Sequence, residues 1–133
     1  MKLIKAYWPA GIWLFIVTVL STRGGVPMPN FNLIGPDKVA HAASYFVLAA
    51  LMLYGYSKMS GRTPGLKGFA VVFALAAGYG VLMEWVQKTF FPNRFFEFDD
   101  MIANSIGAAL AVLFWYLRSR RETRLESRID GIN

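Results

Sequence analysis

The chain contains no cysteine and a single histidine, His41, so disulfides, thiolate metal sites and multi-histidine metal centres are all excluded. Charge is scarce as well. Charged residues make up 17% of the 133 residues against 56% apolar, which points to a membrane protein of one domain. There is no internal repeat and no low-complexity tract, no serine stands in a nucleophile elbow, and no phosphatase or protease signature is visible. Any chemistry must rest on carboxylates, one imidazole, hydroxyls, Arg and Lys. The net charge of +6 would suggest nucleic acid in a soluble protein, but here the basic residues flank apolar runs, as they do beside membranes. No nucleic-acid partner is expected.

What the sequence does have is four long apolar runs. The first, about 6–22, follows Lys2 and Lys5 and carries Tyr7 and Trp8 at its start, where aromatic rings settle at headgroup level. A cleaved signal peptide is the competing reading of this segment. No small-x-small cleavage site follows it, so an uncleaved first helix is expected. "GGVPMPNFNLIGP" is a connector, because glycine and proline punctuate regular structure. The remaining runs, about 37–57, 66–90 and 99–118, each match the thickness of a hydrocarbon core. "KMSGRTPG" and "FPNRFFEF" join them. A charged tail, 119–133, reads as a short helix extension that frays into solvent.

Short connections make successive helices antiparallel, so the expected fold class is all-α, an integral membrane antiparallel bundle of four transmembrane helices. Gly and Ala recur in the last three runs, where small residues let backbones approach in lipid. Trp8, Trp13, Trp85 and Trp115 read as interface or lipid-facing anchors.

Orientation follows from Lys and Arg. The N-terminus (Lys2, Lys5), the middle loop (Lys58, Arg62, Lys67) and the tail (Arg118, Arg120, Arg121, Arg124, Arg128) hold most of them; the other two connectors and their flanks hold Arg23, Lys38, Lys88 and Arg94. Both termini are therefore expected to be cytoplasmic. Asp37, Glu84, Glu97, Asp99 and Asp100 then all fall on the outer side, which is where the unusual chemistry is expected.

Helix spacing turns these residues into a surface. Asp37, His41 and Tyr45 recur at i, i+4 and i+8; Gly80, Glu84 and Gln87 share one face; Asp100, Asn104 and Gly107 share another. Antiparallel packing brings all three sets to one level, and charge near hydrocarbon turns inward or toward a cleft and pairs. Several of these residues also have structural readings. Asp37 suits the N-cap of the second helix, and Asp99 or Asp100 that of the fourth. Glu84 and Asn104 suit interhelical hydrogen bonds that fix packing.

"DKVAHAASYFVL", "GVLMEWVQ" and "RFFEFDDMIANSIG" resemble, in order and spacing, the pattern of the VanZ-like family over residues 37–107. The resemblance implies a small multi-helix protein of the bacterial inner membrane, associated with the cell envelope; the founding member is linked to resistance against the glycopeptide teicoplanin. It implies no particular reaction. Glu97 stands where the family often has Asp, which preserves the charge.

Three functional readings stay open. The first is an outward-facing site for an anionic lipid-linked headgroup, polyprenyl-linked or phospholipid, formed by Asp37, Lys38, His41, Tyr45, Glu84, Gln87, Arg94, Asp99, Asp100 and Asn104. No cofactor is identified, but a divalent cation held by carboxylates would offset the excess of acids over bases. The second is a hydrolase or transferase acting on such a lipid, with His41 or Glu84 as general base and Arg94 stabilising developing charge. The third is a structural plug, with function in a partner bound through the tail or lipid face. A proton-coupled transporter is a further option, for which one short bundle would have to oligomerise.

Overall fold

The computed structural model describes residues 1–22, 35–91 and 97–130, without the side chains of residues 126 and 130. It contains four helices: α1 (Lys2–Thr22), α2 (Pro36–Ser60), α3 (Leu66–Phe90) and α4 (Phe98–Asp130). Each is long and apolar enough to cross a membrane, and among the described residues there is no strand. The fold is an antiparallel membrane-spanning bundle.

Pro36 opens α2, its fixed φ already helical and its missing N–H one that no turn would have satisfied. Gly35 is the cap residue, and its carbonyl accepts the N–H groups of Lys38 (2.9 Å) and Val39 (3.3 Å). Asp37 thus stands inside the first turn and makes no side-chain cap, contrary to one reading of the sequence. It still places negative charge at the positive end of the helix dipole. The start of α4 corrects its counterpart in the same way. The Glu97 carbonyl accepts Asp100 N–H (3.2 Å) and Met101 N–H (3.4 Å), so Glu97 occupies the cap position and Asp99 and Asp100 lie within the first turn.

α2 is the central helix and touches the other three, whereas α1 packs on α2 and grazes α3. One core joins Ala49 and Leu53 of α2 to Phe69, Val72 and Ala76 of α3 and to Ala108 and Ala111 of α4. A second joins Val17 of α1 to Tyr45 and Leu48 of α2. Small residues set the spacing. A Cβ added at Gly107 would fall on the Ala42 carbonyl, so α2 and α4 are in backbone contact there. Around this core Ile12, Phe15, Val71, Leu75, Ile106, Leu110 and Phe114 turn outward, the arrangement expected where the surroundings are lipid.

Two expectations about the helices change. Beyond 118, α4 does not fray: it continues to Asp130, because 119–130 holds no Gly or Pro and Arg118 Nε donates to Glu122 Oε1 one turn on (2.9 Å). Trp8 and Trp85 are exposed, but Trp13 and Trp115 are half-buried against the two cores. Trp13 Nε1 donates to the Ser44 carbonyl (2.8 Å), fastening α1 to α2.

Candidate functional site

The end of α1, the start of α2, the end of α3 and the start of α4 meet at one end of the bundle, and the acids collect there. At its rim, Lys38 Nζ lies 3.2 Å from Asp37 Oδ2 and 3.0 Å from Glu97 Oε2, and it also donates to Asp100 Oδ1. One ammonium therefore serves three carboxylates. The Asp37 and Glu97 side chains are 51% and 48% exposed, while that of Asp100 is 9% exposed, so two of the three partners face solvent and one is fixed.

Beneath the rim lies a buried polar layer. Asp100 gives its second oxygen, Oδ2, to His41 Nε2 (3.3 Å), and His41 Nδ1 lies 3.1 Å from Asn104 Oδ1. Both ring nitrogens are thus engaged. Either the imidazole carries a proton on each, or the Asn104 amide presents its nitrogen to Nδ1 while Nε2–H faces the carboxylate. Glu84, only 2% exposed, accepts the backbone N–H of Glu97 through Oε2 (3.1 Å). Gln87 Nε2 donates to the carbonyl of Ser21 near the end of α1 (2.7 Å). These bonds tie α2 to α4, α3 to α4 and α1 to α3 at one level.

Sequence positions explain why one carboxylate can serve two partners. In a capping box, the acid three residues after the cap reaches back to the cap residue's own N–H. Asp100 holds that position relative to Glu97, but Glu84 of the neighbouring helix has taken the N–H instead. Asp100 is thereby left to divide its oxygens between Lys38 and His41.

A family model, VanZ/LLP1, matches residues 3–119, nearly the whole chain and all of the helices just described except the last turns of α4. The chain belongs to the VanZ/LLP1 family. No curated protein and no solved structure matches it.

Within this VanZ/LLP1 bundle the residues singled out from sequence separate into groups. Lys38, His41, Asp100 and Asn104 form a continuous set of contacts. Asp37 joins it through Lys38, and Glu84 adjoins it through Glu97. Gln87 lies in the same buried layer but bonds toward α1. Tyr45 packs into the α1–α2 core, its ring centroid 6.3 Å from that of Tyr79, while the ring edge borders Gly80 beside Asn104; among the described residues it makes no hydrogen bond to the acids. Asp99 is exposed and has no ion pair among the described residues. Arg94 lies outside the described residues.

Three participants were missed from sequence. Glu97, placed from sequence on the outer side but not among the site residues, is a direct partner of Lys38, and its spacing of three before Asp100, on the same side of the first turn, was the signal. The Ser21 carbonyl carries no sequence signal, since every residue has one. The third is a pair of hydroxyls, Thr18 Oγ1 and Tyr79 OH, which join α1 to α3.

The donor set of Asp37, Glu97 and Asp100 is of a kind that suits a hard cation, with oxygens within 4.8 Å of one another. All three, however, already contact the Lys38 ammonium. The arrangement therefore works as an ion cluster centred on Lys38, with two partners able to exchange.

Proposed function

We propose that the acidic end faces the outside of a bacterial inner membrane, with both termini cytoplasmic, and binds the anionic headgroup of a lipid-linked cell-envelope molecule. The observation that carries this reading is the placement of Lys38. Its side chain is 23% exposed, at the membrane boundary and at the positive ends of both α2 and α4, and it is held partly by acids that face solvent. A phosphate oxygen reaching Lys38 Nζ replaces Asp37 or Glu97 there without disturbing Asp100, His41 or Asn104. Exposed ion pairs are weak, so this exchange costs little.

The rim's own charge sets a condition on the ligand. Three carboxylates around one ammonium leave an excess of negative charge that opposes a bare phosphate. A divalent cation taken up by Asp37 and Glu97 as Lys38 turns to the phosphate offsets it. Polyprenyl phosphates and phospholipids both present this chemistry at the right depth. A hydrolase or transferase reading is less favoured, because both ring nitrogens of His41 already have partners and Glu84 is buried and bonded to the Glu97 N–H.

The test is thermal unfolding of the purified protein in detergent with polyprenyl phosphate, with and without magnesium. Stabilisation should grow with lipid concentration, reaching about 2.7 kcal/mol at a hundredfold excess over Kd, and should be larger with magnesium. Lys38→Gln should abolish the lipid response, while inorganic phosphate should produce little. A protein whose midpoint stays fixed under every one of these conditions does not bind the headgroup. Release of a modified lipid on prolonged incubation would instead establish turnover.

A further inference from the structure

At the opposite end of the bundle, α4 leaves the family match at residue 119 and continues as helix. Its 33 residues extend about 50 Å at 1.5 Å per residue, longer than the 40–45 Å of a bilayer with its headgroups. With Phe98 at one edge of the hydrocarbon, a core of about 30 Å ends near residue 118, so the next two turns run through the far headgroup layer. Those turns carry Arg118, Arg120, Arg121 and Arg124.

These arginines are not equivalent. Arg118 pairs with Glu122 and lies over the Trp115 ring (5.9 Å), and Arg120 Nε donates to Tyr116 OH (3.0 Å) and lies over that ring (5.4 Å). Both are fastened to aromatic residues at the edge of the span. Among the described residues, Arg121 and Arg124 have neither a hydrogen bond nor an ion pair from their side chains. Tyr116, Leu117, Arg120, Arg121 and Arg124, all exposed on α4, border an open surface recess of about 500 Å³. The register of α4 gathers most of its members: at 100° per residue, Leu117, Arg120, Arg121 and Arg124 fall within one third of the helix circumference, Tyr116 lies about 40° beyond their edge, and Ser119, Glu122 and Thr123 fall outside that third.

We propose that this recess is a site for the headgroup of an anionic phospholipid in the leaflet opposite the acidic rim. Tyr116 and Leu117 supply the apolar floor on which an acyl chain or glycerol lies. Arg120, held by Tyr116, gives a pre-oriented donor, and Arg121 and Arg124 give two guanidiniums with donors to spare for a phosphodiester. A phospholipid is favoured over an acidic protein or a nucleic acid because the recess begins at the last residues of the span, at the depth where the lipid phosphates lie. This site is independent of the one proposed around Lys38, being at the other end of the molecule.

The experiment is native mass spectrometry of the full chain in detergent, titrated with phosphatidylglycerol or with phosphatidylcholine of the same acyl chains. Phosphatidylglycerol should bind in preference. In Arg121→Gln/Arg124→Gln its apparent affinity should fall about fivefold for each arginine removed, the equivalent of about 1 kcal/mol per charge near a membrane surface. Among the described residues neither side chain has a hydrogen bond or ion pair, so the variant should unfold at the parent's temperature. Arg121→Lys/Arg124→Lys should recover most of the affinity. Equal binding of the two lipids, or an undiminished affinity in the double Gln variant, overturns the proposal. So does tighter capture of RNA or of an acidic peptide by the same arginines than of phosphatidylglycerol.

Discussion

The two ends of the bundle are built on different physics. At the acidic end the helices are cross-linked by directional bonds: Lys38 and His41 of α2 to Asp100 of α4, Glu84 of α3 to Glu97 N–H, and Gln87 of α3 to Ser21 of α1. At the basic end the side-chain bonds run along single helices or into the adjoining turn, as in Arg118 to Glu122, Arg120 to Tyr116 and Ser60 to Tyr56. There the helices meet through apolar and small residues, and the Ser57 hydroxyl is buried with no partner among the described residues. The contrast separates rigidity from recognition. A bonded layer holds one end in a single geometry beneath an exchangeable rim, whereas the other end presents charge, most densely on α4, that among the described residues no hydrogen bond or ion pair to another helix restrains.

Four substitutions test this division. The largest effect is expected from Gly107→Val, which drives a branched side chain into the Ala42 backbone and forces α2 from α4. A loss of about 3 kcal/mol or more should appear as a lowered unfolding midpoint in detergent. Asp100→Ala comes next. It strips Lys38 and His41 of a shared partner, but Lys38 keeps Asp37 and Glu97, so the cost should be about 2–3 kcal/mol, less than for a fully buried pair. In a double-mutant cycle, His41→Ala should add little to Asp100→Ala. If the two losses simply add, the layer is not one network. Asp99→Asn should be nearly silent, within about 0.5 kcal/mol, because its side chain is exposed. A large effect there would mean that the rim extends farther round α4.

Much of the architecture follows from length and period. Runs of some twenty apolar residues bounded by Gly, Pro and charge specify spans, and short connectors specify antiparallel neighbours. The meeting of His41, Glu84, Asp100 and Asn104 at one level follows from the same reasoning. Partner choice does not follow. Period places Tyr45 on the face of Asp37 and His41, yet two turns of helix carry it about 12 Å from Asp37, into the apolar core where Tyr79 and Leu48 wait. Period also offers Asp37 and Asp100 as caps, but Pro36 and Phe98 move the helix starts forward and hand those positions to Gly35 and Glu97. Backbone atoms take part at two places, Glu97 N–H and the Ser21 carbonyl, and side-chain patterns are blind to them.

The bond from Glu84 to Glu97 N–H bears on how the molecule is assembled. A helix entering a bilayer must satisfy its first N–H groups, and most do so with residues of their own first turn. Here part of that task falls to a residue thirteen positions earlier, on the preceding helix. The last helix therefore acquires its finished start only once α3 stands beside it in register. A shift of α4 by one residue would strand both the carboxylate and the amide away from water. The register of the α3–α4 hairpin is thus tied to this contact.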